Sequence, residues 1–380
     1  MSLACESTNA ACKPAHNRLS VKLVTGLDIP AAVVERASTL VAAGPFGRPL
    51  WWDSWWRHLR PKDSQLFLLT VWRGTEMVGL APWYSRQASG GRREVRFLGD
   101  GLACSDYMTI SAQPDYRALV WSAIAEWLIA EAGRSWDAIV LEGISAHDYE
   151  FSDFIELLRQ SDIVVHQRHV SNTWRVLLPS TWEEYVARFS ATHRNRLRKL
   201  ERELLAGGIA MKTVAEADEF SEGFDIECRL HQLRRRSLGD TGCFANPRFE
   251  SFLRESLARF LASGMLRLRW TELQKRPTAF DCCLIDQQGL FMYQTAFDPA
   301  FSQSSPGRRH LEASIYSAIE SGYQFYDFLR GDEPYKAHFR ATPIPVLETR
   351  LVGPRLGARL SHQLWQLQQG LKKYASLLLR

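Results

Sequence analysis

The chain has 380 residues, 46% of them hydrophobic, and carries 47 basic and 42 acidic side chains for a net charge of +5. That length accommodates two domains with ordinary buried cores, and the composition is not that of a disordered chain. The mild, interspersed charge lacks the dense basic stripe of a dedicated DNA binder, so no DNA partner is expected. No run of about 18 apolar residues is present, so no transmembrane helix is expected. Residues 1–18 are small and polar without an apolar stretch, and read as a disordered lead rather than a signal peptide. The seven cysteines are odd in number and lack metal-ligand spacing. Cys282 and Cys283, adjacent in a strand pattern, point to opposite faces. The cysteines read as small buried hydrophobes of a reducing cytoplasm, with no metal site.

In chain order, Trp51, Trp52, Trp55 and Trp56 come first, at a spacing that lines one helical face. Such a face suits packing between domains; the same rings, Trp52 among them, can stack on a sugar or hold an apolar acyl chain. Residues 65–73 and 76–84 form a hairpin around Gly74-Thr75, and 93–98 adds a third strand. In the loop 99–107 that follows, Asp106 and Tyr107 are candidates to receive an acceptor hydroxyl or amine. A helix over 116–132 and a strand over 136–142 complete this first unit.

A helical region comes next. Ser180-Thr181-Trp182-Glu183 has the capping-box pattern that starts a helix. Over 192–205, Leu197, Leu200, Leu204 and Leu205 mark one face, while Arg194, Arg198 and Arg202 recur every fourth residue on another. This is either a solvated basic face or one turned toward phosphate or an acidic substrate. Strands then follow at 266–273, 278–286 and 290–297, with a tight turn at 287–289. A helix over 311–321 stopped by Gly322 and a strand over 323–329 close the second unit. Meander, helix, strand, occurring twice, predicts a duplicated α/β unit with mixed α+β sheets.

The most informative stretch is the basic loop 304–309 opening a helix. Free backbone N–H groups, the helix dipole and two guanidinium groups make Ser305, Gly307, Arg308 and Arg309 a candidate anion site. It suits a phosphate-bearing donor such as a coenzyme A thioester or a charged tRNA end. Asp327, alone on its strand face, and Tyr293, Asp298 and His310 are candidates to deprotonate an acceptor. The tail from Arg355 is amphipathic, with Leu360, Leu364, Leu367, Leu371, Tyr374 and Leu378 at 4-3-4-3-4 spacing. This helix is expected to pack on its own fold, with dimerisation or membrane-surface contact as the alternatives.

Several pieces, in order, carry a resemblance. They are Trp51-Trp52-Asp53-Ser54-Trp55-Trp56, Gly79-Leu80-Ala81-Pro82, Leu98-Gly99-Asp100-Gly101, Arg194-Asn195-Arg196-Leu197-Arg198-Lys199-Leu200, Ser305-Pro306-Gly307, and Tyr326-Asp327-Phe328-Leu329-Arg330-Gly331 followed by Tyr335-Lys336. Together the chain resembles the GNAT acyltransferase superfamily, in its CelD/BioF2-like group. It is also similar to the Fem peptidyltransferases, which pair two GNAT domains.

The resemblance implies two tandem GNAT-like domains, 19–175 on the acceptor side and 176–350 on the donor side, with a C-terminal amphipathic helix over 351–380. It implies acyl-CoA as donor. In the superfamily the pyrophosphate rests on a loop of the form Gln/Arg-x-x-Gly-x-Gly/Ala, where this chain has Ser305-Pro306-Gly307-Arg308-Arg309 with one glycine. The first copy has Gly99-Asp100-Gly101, with an acid where phosphate would sit, which assigns the donor to the second copy. Fem enzymes carry an aromatic-Lys motif after the last strand, which gives Lys336 a role toward donor phosphate or a developing oxyanion. The implied reaction is transfer of an acyl group to an amine or hydroxyl of a sugar or cell-surface polysaccharide intermediate. The alternatives are an aminoacyl-tRNA-dependent Fem-like transferase, with Arg194 and Arg198 against the tRNA, and a catalytically silent partner protein.

Overall fold

Apart from one short strand and one helix extra in the first, the two halves of the chain spell out the same series of elements, and the two series interlock through one exchanged strand apiece. The computed structural model describes residues 19–41 and 44–378, so the predicted disordered lead lies outside the described residues. The first half runs β1 (Ser20–Val24), α1 (Ala31–Ala37), α2 (Pro49–Leu59), β2 (Ser64–Arg73), β3 (Glu76–Ala88), β4 (Arg92–Phe97), the short β5 (Ser111–Ala112), α3 (Arg117–Glu131), β6 (Ala138–Ser145), α4 (Tyr149–Arg159) and β7 (Val164–Leu177). After α5 (Trp182–Ala187) and α6 (Ala191–Leu205), the second half repeats it as β8 (Ala210–Thr213), α7 (Phe220–Ser237), α8 (Pro247–Ala262), β9 (Leu266–Leu273), β10 (Arg276–Ile285), β11 (Gly289–Phe297), α9 (Pro306–Glu320), β12 (Phe325–Arg330) and β13 (Thr342–Val352). The last helix is α10 (Leu356–Leu378).

The strands form one mixed sheet in the order β1-β2-β3-β4-β6-β13-β7-β12-β11-β10-β9-β8, with β5 on the side of β3. Neighbours are antiparallel except β4 with β6 and β11 with β12, the two pairs joined by a crossover helix. At the centre β7 leaves the first half to pair with β12, and β13 leaves the second half to pair with β6. The two exchanged strands then pair with each other along the whole of β13. The expected boundary at 175/176 falls inside β7.

Local chemistry explains the starts of these elements. The Thr181 hydroxyl accepts the Glu184 N–H at 3.3 Å and caps α5, as the 180–183 pattern anticipates. Cys282 and Cys283 are both buried and face different core clusters. The larger cluster joins the halves through α2 and α8: Trp51 meets Phe252 edge-on at 4.8 Å, and Arg259 reaches Asp53 at 2.9 Å. The smaller cluster lies under α5, α6 and α9, around Tyr185, Ile315 and Tyr326.

Two expectations are corrected here. The predicted loop over 304–309 is already helical from Pro306, because proline at the first helical position has no N–H to leave unsatisfied. The leucine stripe of α10 does not pack on its own fold: Leu360, Leu364, Leu367 and Leu371 are exposed, and the opposite face of the helix is the one that makes contact. No helix of the described residues is long and apolar enough to cross a membrane.

Candidate active site

Strands β11 and β12 pair for three residues only, Gly289 to Phe291 against Phe325 to Asp327, and then part. The gap exists because β11 is bulged on its other side. Cys282 pairs with Gln294 and Cys283 with Met292, so Tyr293 is the extra residue, and such a bulge bends a strand and re-aims its side chains. The parted strands border a cleft of two adjoining chambers, about 530 Å³ and 490 Å³. His231, Arg235, Thr295, Glu333 and Tyr335 line both chambers.

The second chamber ends at the N-terminus of α9. Ser305 takes a left-handed backbone (φ 51°) to turn the chain into that helix. The first turn leaves the N–H groups of Gly307 and Arg308 without an acceptor inside the helix. A Cβ on Gly307 would stand 2.9 Å from the Phe297 ring, so only glycine brings the helix this close to β11. Arg234 lies over the same ring at 4.6 Å, and Arg308 lines the chamber beside it. Two guanidinium groups and open helix N–H groups at one end suit a polyanion such as a pyrophosphate.

The first chamber is where the halves meet. Leu102 and Cys104 of the first half face Tyr293, Gln294, Phe328 and Lys336 of the second. His231 is buried, with Nδ1 3.3 Å from Gln232 Oε1 and Nε2 3.6 Å from Cys243 Sγ. Burial pulls its pKa down to about 4, so the imidazole is neutral near neutral pH. Burial likewise pushes the Cys243 thiol up to about 11, and holds the Tyr293 hydroxyl protonated. Gln294 lines the chamber with its Oε1 unpartnered among the described residues. Beside Cys282, Glu227 is fully buried with neither oxygen hydrogen-bonded among the described residues, and burial raises its pKa to about 8.

Of the residues expected to hold the donor, Gly307 and Arg308 line the cleft. Ser305 does not, and Arg309 turns away to pair with Glu203 of α6. The four expected catalytic residues are not brought together. Tyr293 reaches the cleft, but its hydroxyl donates to Ala103 O at 3.0 Å. Lys336 borders the cleft with its ammonium already spent: Nζ donates to the carbonyls of Leu329, Arg330 and Gly331 at 3.1, 2.9 and 2.9 Å and meets Glu333 at 2.9 Å. It holds the turn after β12 rather than a phosphate. His310 is fully buried under α9, 2.8 Å from Asp281 Oδ1, and lines neither chamber. Asp298 caps the turn after β11 through the Ala300 N–H and pairs with Arg276.

Asp327, Asp106 and Tyr107 form a lock between the halves instead of a catalytic set. Asp327 accepts from Tyr107 Oη at 2.6 Å, Arg175 Nε at 2.7 Å and the Leu329 N–H at 2.7 Å. Asp106 accepts from the N–H and Nε of Arg330 at 2.9 and 2.7 Å. Both carboxylates are wholly buried, and burial raises both pKa values against the pull of their arginines. Neither has a lone pair aimed at a cleft, so an acceptor cannot reach Asp106. Tyr107 borders a separate cavity of about 260 Å³ in the first half, with its hydroxyl engaged. Trp52 is fully buried and donates to Gly47 O at 3.0 Å, so it stacks on no sugar. Arg194 caps Phe189 O at 2.8 Å, Arg198 is exposed, and neither lines either chamber.

The residues that the sequence reading passed over are those of α7. His231, Arg234 and Arg235 stand at one-turn spacing, and a run of three arginines just before Gly239 was the available signal. Among the described residues no group of three or more His, Cys, Asp or Glu is placed to hold a metal ion.

Comparison with known proteins gives three findings. Residues 188–337 match the family described as "Acetyltransferase (GNAT) domain". The chain superposes on FemX with a TM-score of 0.56 at 10% identity, over 83% of this chain and 94% of that one. It also superposes on a conserved protein of unknown function from Bacteroides thetaiotaomicron VPI-5482, TM-score 0.54 at 11% identity, over 88% of this chain and all (100%) of the other. At these identities the likeness is one of fold. No curated protein matches the chain.

Proposed function

We propose, from the match of residues 188–337 to the GNAT acetyltransferase domain family, that the protein transfers an acyl group from acyl-CoA to an amine or hydroxyl of a sugar or cell-surface polysaccharide intermediate. The observation that carries this reading is the parting of β11 and β12 into a cleft that ends on the N-terminus of α9. The residues fit the donor: Gly307 and Arg308 offer N–H groups, and Arg234 and Arg308, whose Nε lies 3.9 Å from Glu312, offer positive charge. Bound there, acyl-CoA supplies a carbonyl already activated as a thioester.

The acceptor occupies the first chamber, bounded by Leu102 and Cys104 on one side and Gln294 and Glu333 on the other. The unpartnered Gln294 Oε1, with Asp240 and Thr241 nearby, supports a polyhydroxylated acceptor, which satisfies such groups by hydrogen bonding. His231 takes the acceptor proton on Nε2, its Nδ1–H being turned toward Gln232. The acceptor atom bonds to the acyl carbon, the carbon–sulfur bond breaks, and the departing sulfur takes the proton held on His231, so coenzyme A leaves as the thiol.

Calorimetric titration with acetyl-CoA, a longer acyl-CoA and free coenzyme A tests this reading. Arg308→Ala is expected to weaken all three by about tenfold, the loss of one charge-assisted contact. No binding of any of the three would sink the proposal in favour of a charged tRNA donor or a silent partner protein. With turnover in hand, His231→Gln lowers kcat by about 10²-fold or more while donor affinity holds.

A further inference from the structure

Helix α10 leaves the fold with its apolar side facing water. Leu356, Leu360, Leu364, Leu367 and Leu371 are each between 59% and 79% exposed. The helix is held from the other side. Ala358 and His362 are buried there, the guanidinium groups of Arg168 and Arg350 lie over Trp365 at 5.1 and 4.4 Å, and Gln369 accepts from Arg168 Nη1 at 3.2 Å. At about 100° per residue the two sets lie half a turn apart. The fold therefore fixes the helix with its leucines outward, and cannot bury them by a small shift of its own.

The spacing says what covers them. From Leu360 the leucines step 4-3-4, and the sequence carries the alternation on through Tyr374 and Leu378. From Leu360 on, every a and d position is apolar, the seam of a helix that pairs with another helix. A helix lying on a membrane carries a broader apolar face edged with lysine and arginine. Here the seam is edged by Ser361, Gln363, Gln368 and Gly370, none of them charged, so two copies meet without like-charge repulsion. Lys372 and Lys373 fall at b and c positions, off the seam. The seam from Leu360 to Leu378 spans 19 residues, about 27 Å of helix. We infer that α10 pairs with α10 of a second copy of this chain through Leu360, Leu364, Leu367 and Leu371, making the protein a twofold-symmetric dimer.

Sedimentation equilibrium of the full chain tests this inference without reference to the cleft. The wild type is expected at twice 43.4 kDa. Leu364→Glu with Leu367→Glu is expected at the single mass with its far-UV circular dichroism unchanged, since both side chains already face water in one copy. Should that variant fail to fold, Gln363→Lys with Gln368→Lys keeps every leucine and places like charges along the seam. It is expected to raise the dimer Kd by at least about tenfold. A wild type at the single mass, or a dimer that survives both pairs of substitutions, overturns the proposal. So does flotation of the wild type with phosphatidylglycerol vesicles that is lost in Leu364→Glu with Leu367→Glu, which would assign the seam to a lipid surface.

Discussion

The two halves build the same device and put it to opposite uses. In each, a parallel strand pair holds for three residues and then parts: β4 with β6 over Glu94 to Arg96, and β11 with β12 over Gly289 to Phe291. In the second half the gap stays open as the cleft. In the first half the chain's own loop after β4 fills it. Met108 N–H donates to Gly143 O at 3.1 Å, Trp51 Nε1 donates to Ser105 Oγ at 2.7 Å, and a Cβ on Gly143 (φ 78°) would stand 2.4 Å from Ser105 O. The same loop carries Asp106 and Tyr107 across to Arg330 and Asp327. One half thus fills its own gap and becomes the wall that braces the other. Duplication alone would predict two equivalent gaps; the packing of the loop 98–110 fills one of them.

Breaking the brace is expected to have the largest effect. Arg330→Ala leaves Asp106 buried without its partner and destabilises the protein by about 3–5 kcal/mol, read from urea unfolding. Next is the buried acid behind the open cleft. Because the folded-state pKa of Glu227 lies near 8, above the unfolded value, its contribution to stability is greatest below the unfolded pKa and is lost as pH rises toward 8. Glu227→Gln removes that slope, and is expected to exceed the wild type by on the order of 2–4 kcal/mol at pH 9 while gaining little at pH 5. A parallel loss in both proteins would show that the carboxylate is paired.

The paired glycines sharpen the contrast between the halves. Gly143→Ala puts a side chain into a left-handed position against a backbone oxygen, and is expected to cost about 1–3 kcal/mol of stability with donor affinity unchanged. Gly307→Ala meets only the Phe297 ring, and is expected to weaken acetyl-CoA binding with a smaller effect on the melt. Smallest are the charge removals. Arg308→Ala lowers donor affinity about tenfold, whereas Arg309→Ala, already paired with Glu203, and Arg117→Ala at the start of α3 lower it less than about twofold. Equal losses for Arg308 and Arg117 would mean that both gaps bind the donor.

What was legible in the sequence follows the range of the interactions. Strand β9 runs where the pattern placed it, and α3, β10, β11 and β12 differ by a few residues at their ends, because alternation, turn residues and caps act locally. Strand β7 was not read at all: VVHQRHVSNTWRVL is half-exposed and polar, and its strand state is fixed by β12 and β13, partners that lie far along the chain. The proposed donor end was legible because Gly307 and Arg308, opening a helix, are neighbours in sequence. The catalytic expectations failed where a chemically suggestive side chain was consumed by a distant partner. Asp106 is 224 positions from Arg330, and Tyr107 is 220 from Asp327. Lys336 is the exception in range: its three carbonyl partners are close in sequence, but a turn that curls onto its own lysine leaves no periodicity to read.

The exchanged strands also set an order of events in time. During synthesis β6 emerges with one edge bare, and the strand that covers it, β13, is made after almost all of the second half. A bare edge of this kind is a template for pairing with other chains. The nascent first half must therefore wait, shielded or unfolded, until its last strand arrives. Neither half is a unit that evolution or a protein engineer can express, swap or retire alone. Folding of the pair is expected to be slow and all-or-none, because its decisive contacts are also its most distant in sequence.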